Sequence, residues 1–255
     1  MPVSNYEFMP KDKSKYADSW GWTMQQTYIR DKNLETADYT FAPFTGARAN
    51  HPCGGAIKRA FDFTLALFAI IILSPLLLAV AIAVRLSDGG PALFGHERIG
   101  FSGKSFKCWK FRSMIPNSDA VFKDYLAKNP EAAREWRLNQ KIQNDPRVTP
   151  LGFFLRKYSI DELPQLFNIL AGDMSFVGPR PIQRSEYDKY GYSLRHYLST
   201  RPGLTGLWQI SGRSNSTYQK RVAFDRYYVT HWGMLTDVAL IVKTVPVAVT
   251  GAGSY

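Results

Sequence analysis

The spacing of hydrophobic residues divides this chain of 255 residues into three parts. Residues 1–52 mix charged and aromatic residues without a sustained period, so we interpret them as a flexible N-terminal tail, although a tail that packs on the rest of the chain is the alternative. An apolar segment follows, and residues 87–255 then alternate between short strand-like and helix-like patterns. We therefore predict boundaries at 1–52, 53–86 and 87–255.

The apolar segment carries one charge, Asp62, within residues 60–84, and it is long enough to cross a bilayer once as a straight helix. Two features favour a re-entrant hairpin instead. Such a hairpin is a kinked helix that enters one leaflet of the membrane and returns to the same side. Ser74 and Pro75 lie at the midpoint, where proline removes a backbone donor and bends a helix. Basic residues flank both ends, which favours both ends in the cytoplasm. In a hairpin, the carbonyl group left unpaired by Pro75 needs Ser74 or a neighbour as its partner.

Two strand patterns and two helix patterns follow the apolar segment. ALFGHERIG and KSFKCWKFRSM predict a β-hairpin that turns around residues 100–103. Residues 117–141 predict two helices, the second beginning with Asn129 as its N-cap and Pro130 in its first turn.

The C-terminal part has apolar residues near helical spacing over residues 222–250. Tyr228 and Trp232 in this range suit the boundary between water and lipid, which favours an interfacial amphipathic helix. A helix that packs on the core is the alternative. The predicted fold class is α+β, mainly helical, with a membrane hairpin formed by a helix, a break and a second helix, and with a compact domain that contains a small β-hairpin.

Composition and charge narrow the function. The composition, with 45% hydrophobic and 21% charged residues, is that of a folded protein. The net charge of +11 favours binding to polyanions such as nucleic acid, an anionic membrane or phosphorylated substrates. Charge alone does not choose among these three. The two cysteines, Cys53 and Cys108, lack metal-ligand spacing, so neither a disulfide framework nor a zinc site is indicated.

Two adjacent carboxylates, Asp161 and Glu162, stand in the stretch LRKYSIDELPQLFNILAGDMSFVGPRP. Apolar residues at positions 163, 166, 167 and 170 predict a short helix with one buried face, which Gly172 ends. Ser159 and Glu162 have capping-box spacing, but Pro164 is better accommodated if the helix begins at Asp161. Either start places both carboxylates beside unpaired N–H groups at the positive end of the helix, where a charged nucleophile is stabilised.

Several basic residues are candidates for binding phosphate. Lys110 and Arg112 lie on one face of the second predicted strand, where they contact a diphosphate or, alternatively, protect a solvated strand edge. Arg180 and Pro181 in GPRP, and Arg201 in RPGLTGLWQISGR, stand in rigid turns that suit phosphate recognition.

The run SIDELPQLFNILAGDMSFVGPRP resembles the signature of the bacterial monotopic phosphoglycosyl transferases, and the resemblance extends from about Ile57 to the C-terminus. It includes the sequences KRAFD before the apolar segment, Ser-Pro inside it, KCWKFRSM, and NDPRVTPLGFFLRK. The resemblance implies that Asp161 is a covalent nucleophile, that Glu162 helps to hold Mg²⁺, and that Arg156 contacts substrate phosphate. It also favours the re-entrant hairpin with Ser74 and Pro75 at its break.

The resemblance implies an enzyme that moves a hexose 1-phosphate, galactose or glucose, from a UDP-sugar to undecaprenyl phosphate and releases UMP. Such a protein is monotopic in the bacterial inner membrane with its catalytic domain on the cytoplasmic face. Its partners are the two substrates and membrane lipids, with a second copy of the chain as a further candidate and no nucleic acid. The short architecture is most similar to the galactosyl-phosphate transferases that begin succinoglycan synthesis.

Two rival functions stay open. A membrane-docked scaffold or regulator of polysaccharide assembly would use the positive charge only to bind anionic lipid. A conventional glycosyltransferase would release UDP and form no covalent intermediate. No residue in the sequence discriminates galactose from glucose.

Overall fold

The computed structural model describes residues 51–139, 142, 145–211 and 217–250. The predicted tail, apart from its last two residues, lies outside the described residues. The described part is mainly helical with two small sheets. Its helices are α1 (Gly55–Asp88), α2 (Ser118–Lys128), α3 (Pro130–Asn139), α4 (Pro150–Lys157), α5 (Gln165–Ala171), α6 (Tyr187–Tyr190), α7 (Leu194–Leu198), α8 (Leu207–Ile210), α9 (Tyr218–Thr230) and α10 (Met234–Thr250). Its strands are β1 (Leu93–Ile99), β2 (Ser105–Phe111), β3 (Ser175–Val177) and β4 (Gly203–Thr205).

Helix α1 contains the apolar segment and has Pro75 inside it. Among the described helices it alone is long and apolar enough to cross a membrane, judged by length and composition. The hydroxyl of Ser74 donates a hydrogen bond of 2.8 Å to Ile71 O, the carbonyl group that a residue at position 75 would otherwise bond. Because this carbonyl has a partner, the helix continues through the proline. The predicted break between two separate helices is therefore not observed, and a re-entrant position in the membrane stays a prediction.

One face of α1 packs on the rest of the molecule along most of its length. Ala66 belongs to a buried cluster with Leu166 and Ile169, and eleven residues later Leu77 joins a second cluster with Leu155. The remaining faces of α1 expose large apolar side chains: Phe63, Leu67, Phe68, Ile71, Ile72, Leu76, Leu78, Ile82 and Leu86. A helix with one packed face and a wide apolar exposed surface suits contact with lipid on its outer side.

Polar contacts attach both ends of α1 to the same domain. Near its start Lys58 forms an ion pair with Asp237 of α10, and Asp62 Oδ1 accepts a hydrogen bond of 3.1 Å from Phe176 N. At its end Asp88 forms an ion pair with Arg112, which follows β2. Lys58, Asp62 and Asp88 therefore attach the helix to the domain.

The predicted hairpin is confirmed, since β1 and β2 pair antiparallel around the residues expected. The two helices predicted over residues 117–141 are also confirmed as α2 and α3, with Pro130 at the first position of α3. The second sheet was not predicted: β3 and β4 pair in parallel, with Ser175 opposite Gly203 and Val177 opposite Thr205. Its strands have three residues each, too few to show a period in the sequence.

The C-terminal pattern forms two helices, α9 and α10, instead of one. The prediction that Tyr228 and Trp232 lie at the water–lipid boundary is wrong, because both side chains reach into the protein and bond Asp237. Tyr228 is 3% exposed and its hydroxyl lies 2.7 Å from Asp237 Oδ1, while Trp232 Nε1 donates to Asp237 Oδ2 at 3.0 Å. The exposed apolar stripe of α10 is instead Leu235, Val238, Val242 and Val245.

Candidate active site

Asp161 and Glu162 lie in a 3₁₀ turn, Ile160–Glu162, that precedes α5. Ser159 begins this turn with a left-handed backbone (φ 55°), and its side chain makes no capping hydrogen bond. Both predicted helix starts are therefore wrong: no capping box joins Ser159 to Glu162, and α5 begins only at Gln165, after Pro164. Pro164 is compatible with this start, because it precedes the first helical residue and no hydrogen bond from its nitrogen is needed there.

The buried face of α5 differs from the predicted stripe. Leu166 and Ile169 are buried as hydrophobic residues, but Phe167 is 45% exposed, and the polar Asn168 is 2% exposed. Gly172 ends the helix as predicted, with φ 92° and its N–H bonded to Asn168 O at 3.0 Å.

Asn168 connects α5 to the hairpin. Its Oδ1 accepts from Trp109 N at 2.9 Å, and its Nδ2 donates to Lys107 O at 2.8 Å, so the amide bonds the edge of β2 as a neighbouring strand would. The next residue of β2, Lys110, donates from Nζ to Glu162 Oε1 at 2.6 Å. The buried amide thus fixes the strand that carries Lys110 against the turn that carries Glu162. An asparagine inside a helical pattern gave no sequence signal for this role.

Asp161 is buried, with 7% of its surface exposed. The pKa of its carboxyl group is raised to about 6, chiefly by burial and also by the charge of Glu162, while the positive charges of Lys110, Arg156 and Arg180 act in the opposite direction. At pH 7 the ionised form of Asp161 therefore predominates. An ionised and poorly hydrated carboxylate is a competent nucleophile that needs no separate base.

Arg156 stands at the end of α4, whose N-cap Thr149 accepts a hydrogen bond of 2.9 Å from Gly152 N. Its guanidinium donates from Nε to Ser113 Oγ at 2.8 Å. Burial lowers the pKa of Arg156, and the negative charge of Asp161 partly opposes this shift. The structure thus places Arg156 close enough to Asp161 for their charges to interact.

The turn that carries Arg180 is held by the parallel strand pair. Gly178 N donates to Thr205 O at 3.0 Å, and Gly203 N donates to Pro179 O at 2.8 Å. A Cβ atom at Gly178 would lie 2.5 Å from Arg201 O, so only glycine permits this close approach. Arg180 Nη2 lies 3.7 Å from Glu162 Oε1, on the same oxygen that Lys110 bonds.

Two predicted phosphate ligands are bonded elsewhere. Arg112 pairs with Asp88 at the end of α1. Arg201 donates from Nε to Gly172 O at 2.8 Å, which caps the end of α5. Neither residue has a described contact with Asp161 or Glu162, and their substrate contacts stay predictions.

A small cleft opens beside Glu162. It is lined by Arg98, Cys108, Lys110, Glu162, Gln165, Arg180, Pro181, Gly203, Leu204 and Gln209. Four predicted site residues, Lys110, Glu162, Arg180 and Pro181, thus meet in one place. Three cationic side chains against one carboxylate favour an anionic ligand. Arg98 was not among the predicted residues, although its position on the predicted hairpin places it on the same face as Lys110.

Comparison with known proteins gives concordant results. The model of the family described as "Bacterial sugar transferase" matches residues 53–251. The chain is 51% identical to the "Exopolysaccharide production protein ExoY" of Sinorhizobium fredii and 50% identical to the protein of the same name from Rhizobium meliloti, in each case over 81% of this chain and 92% of the relative.

A third relative, the "Undecaprenyl-phosphate galactose phosphotransferase" of Salmonella typhimurium, is 49% identical over 78% of this chain and 42% of its own longer sequence. The matched region includes α1, the hairpin and every residue of the cleft. The chain therefore belongs to the bacterial sugar transferase family.

Proposed function

We propose that this protein transfers a sugar 1-phosphate from a UDP-sugar to undecaprenyl phosphate and releases UMP, through a covalent phosphosugar on Asp161. The observation that carries the proposal is a buried, ionisable carboxylate next to a cleft in which Lys110 and Arg180 converge on Glu162. The name of the Salmonella relative supports the lipid acceptor and a galactosyl donor. Galactose and glucose both stay candidates for the sugar.

In the first step a carboxylate oxygen of Asp161 attacks the β-phosphorus of the UDP-sugar. The bond from that phosphorus to the bridging oxygen breaks, and UMP leaves with the electron pair. In the second step a phosphate oxygen of undecaprenyl phosphate attacks the same phosphorus, and the Asp161 carboxylate is regenerated. Each step moves negative charge that Lys110, Arg156 and Arg180 neutralise.

The two carboxylates fit a magnesium site of the kind used with phosphorylated substrates. Among the described residues no cluster of three or more His, Cys, Asp or Glu side chains could hold a metal. Mg²⁺ bound with substrate takes most of its oxygen ligands from phosphates and water and needs only one or two carboxylates. Glu162, with Asp161 beside it, would hold the ion, which when bound supplies positive charge to the diphosphate.

Membrane attachment follows from α1 and α10 in this proposal. Lys58 and Asp88 bond the same domain from opposite ends of α1, which supports a re-entrant helix with both ends on the cytoplasmic side of the inner membrane. The exposed stripe of α10 lies in the membrane interface, where Leu235 is 85% exposed in the protein alone. The lipid acceptor then meets the soluble donor at headgroup depth.

Incubation of the purified protein with a UDP-sugar and Mg²⁺, without a lipid acceptor, tests the covalent step. Peptide mass mapping should find a sugar phosphate on the peptide that contains Asp161, with one UMP released for each modified chain. Recovery of UDP with an unmodified peptide would instead support direct sugar transfer. If neither UMP nor UDP is released from any UDP-sugar of a panel, the result would favour a non-catalytic, membrane-docked scaffold.

A further inference from the structure

Arg98 of β1 reaches the cleft from a different element than the other two cations. Across the hairpin Arg98 pairs with Phe106, and Phe94 pairs with Lys110. Residues two apart on a strand share a face, as do residues opposite each other on neighbouring strands, so Arg98 and Lys110 project to the same side. Both line the cleft beside Glu162.

The Arg180 turn lies directly against the end of β1. Ile99 N donates a hydrogen bond of 2.9 Å to Ile182 O, so the residue after Arg98 pairs with the turn two residues beyond Arg180. Burial lowers the pKa of Arg98, and the nearby positive charge of Arg180 lowers it further. Two guanidinium groups held together in a partly buried place repel each other, and an anion between them removes that cost.

Glu186 approaches Arg98 without neutralising it fully. Its Oε1 lies 3.6 Å from Arg98 Nη1, which is too long for a hydrogen bond. The same oxygen accepts from Gln183 N at 2.8 Å, and Oε2 accepts from the Tyr218 hydroxyl at 2.9 Å. The one hydrogen bond that the structure describes for the Arg98 guanidinium joins Nη2 to His96 Nδ1 at 3.2 Å. Since guanidinium has five donors, most remain available for a ligand.

We propose that Arg98 binds the diphosphate of the nucleotide donor together with Arg180 and Lys110. This inference rests on the proposed function, since it assigns a ligand to the same cleft. Arg98 and Arg180 each present a planar fork of donors, which suits a diphosphate with several anionic oxygens. Lys110 is bonded to Glu162 and adds a point charge.

Binding of UDP and of uridine to the full-length protein in detergent, measured by calorimetry, tests the inference. Arg98→Gln should weaken UDP binding by about 10- to 100-fold, the range for loss of a charge-assisted hydrogen bond, while uridine binding stays unchanged. Arg98→Lys keeps the positive charge but lacks the planar guanidinium group, so the loss of UDP affinity should be intermediate. Arg184→Gln is the matched control, since it removes one exposed positive charge from the turn after Pro181 and should have no effect on either ligand.

Glu186→Gln separates a binding role from a structural one. Glutamine preserves the bond to Gln183 N, so the turn stays folded, and removal of the negative charge should leave UDP binding equal or tighter. If Glu186→Gln weakens UDP binding as much as Arg98→Gln does, Arg98 acts only as a structural partner and the inference fails. It also fails if Arg98→Gln binds UDP like the wild type while Arg180→Gln does not. A wild-type protein that binds no UDP would contradict the donor itself, and so the proposed function.

Discussion

Lys58 and Asp237 form an ion pair that joins the first turns of α1 to the first turn of α10 across 179 residues of sequence. Both side chains are buried, with 2% and 0% of their surfaces exposed. Asp237 also bonds Tyr228 of α9 and Trp232 of the connection between α9 and α10, so three side chains from distant parts of the chain meet around one carboxylate. The apolar helix is therefore attached to the domain by a buried polar cluster as well as by hydrophobic contacts.

Lys58→Met should lower the free energy of unfolding by about 3–5 kcal/mol, because it leaves the buried charge of Asp237 without its cation. The double variant Lys58→Met with Asp237→Asn should recover part of this loss, since the buried charge of Asp237 is removed while the buried carboxyl group of Asp62, which also interacts with Lys58, remains. Denaturant unfolding in detergent micelles measures both. The control is Lys128→Met, which breaks an exposed pair with Asp124 and should change stability by about 0.5 kcal/mol or less. Equal losses for the two lysines would contradict the prediction.

The topology of α1 can be tested with single cysteines. Ile57→Cys and Leu86→Cys occupy exposed positions at the two ends of the helix, in a background where Cys53 and Cys108 are replaced by serine. A re-entrant helix predicts that both label with a membrane-impermeant reagent from the cytoplasmic side. Labelling from opposite sides would establish a crossing helix.

Pro75→Ala should move α1 toward the crossing arrangement. Alanine restores the N–H donor to Ile71 O, which Ser74 now bonds, and it removes the ring that favours a bend at this position. In the same labelling experiment, Leu86→Cys should then lose part of its cytoplasmic labelling. Ser74→Ala in the Pro75→Ala background should behave like Pro75→Ala alone, because the alanine at position 75 already supplies the donor.

Asp161→Asn and Glu162→Gln should fail in different ways. Asp161→Asn should keep the fold and abolish UMP release, by at least about 1,000-fold, because an amide cannot form the acyl phosphate. Glu162→Gln keeps the nucleophile but weakens the contact with Lys110, so we expect a higher Mg²⁺ requirement and a rate lower by about tenfold or more.

UMP release measured against Mg²⁺ concentration separates these two effects. Glu97→Gln on the exposed side of β1 is the control and should match the wild type. If Glu162→Gln also matches the wild type at every Mg²⁺ concentration, Glu162 has no role in holding the ion.

The stripe on α10 should enter the membrane interface. The emission of a polarity-sensitive fluorophore on Leu235→Cys or Val242→Cys should shift to shorter wavelength, relative to the free fluorophore in buffer, when the protein is reconstituted into lipid bilayers, because these exposed side chains become surrounded by acyl chains. The same fluorophore on Lys220→Cys, an exposed position of α9, should not shift. No difference between the two helices would remove α10 from the membrane contact.

The sequence by itself determined those elements that depend only on neighbouring residues along the chain. The length of the apolar segment, the proline within it and the hairpin around residues 100–103 follow from composition, period and turn chemistry. The stop at Gly172 follows from the left-handed backbone that glycine adopts without strain. Asp161, Glu162, Lys110 and Arg180 could be predicted as candidates because their residue types suit phosphate chemistry, and three of them meet at the cleft.

Only the tertiary structure decided the contacts between distant parts of the chain. The parallel pairing of β3 with β4 and the bonds of Asn168 to the edge of β2 depend on which segments approach each other, and neither leaves a period in the sequence. The same holds for Tyr228, an aromatic residue equally suited to an interface or a core, which became a core residue because Asp237 supplies a buried partner for its hydroxyl. The position of Arg98 has a similar cause. The sequence does not show whether a strand residue faces solvent or a binding site. Arg98 lines the cleft because the turn that carries Arg180 packs against the end of β1.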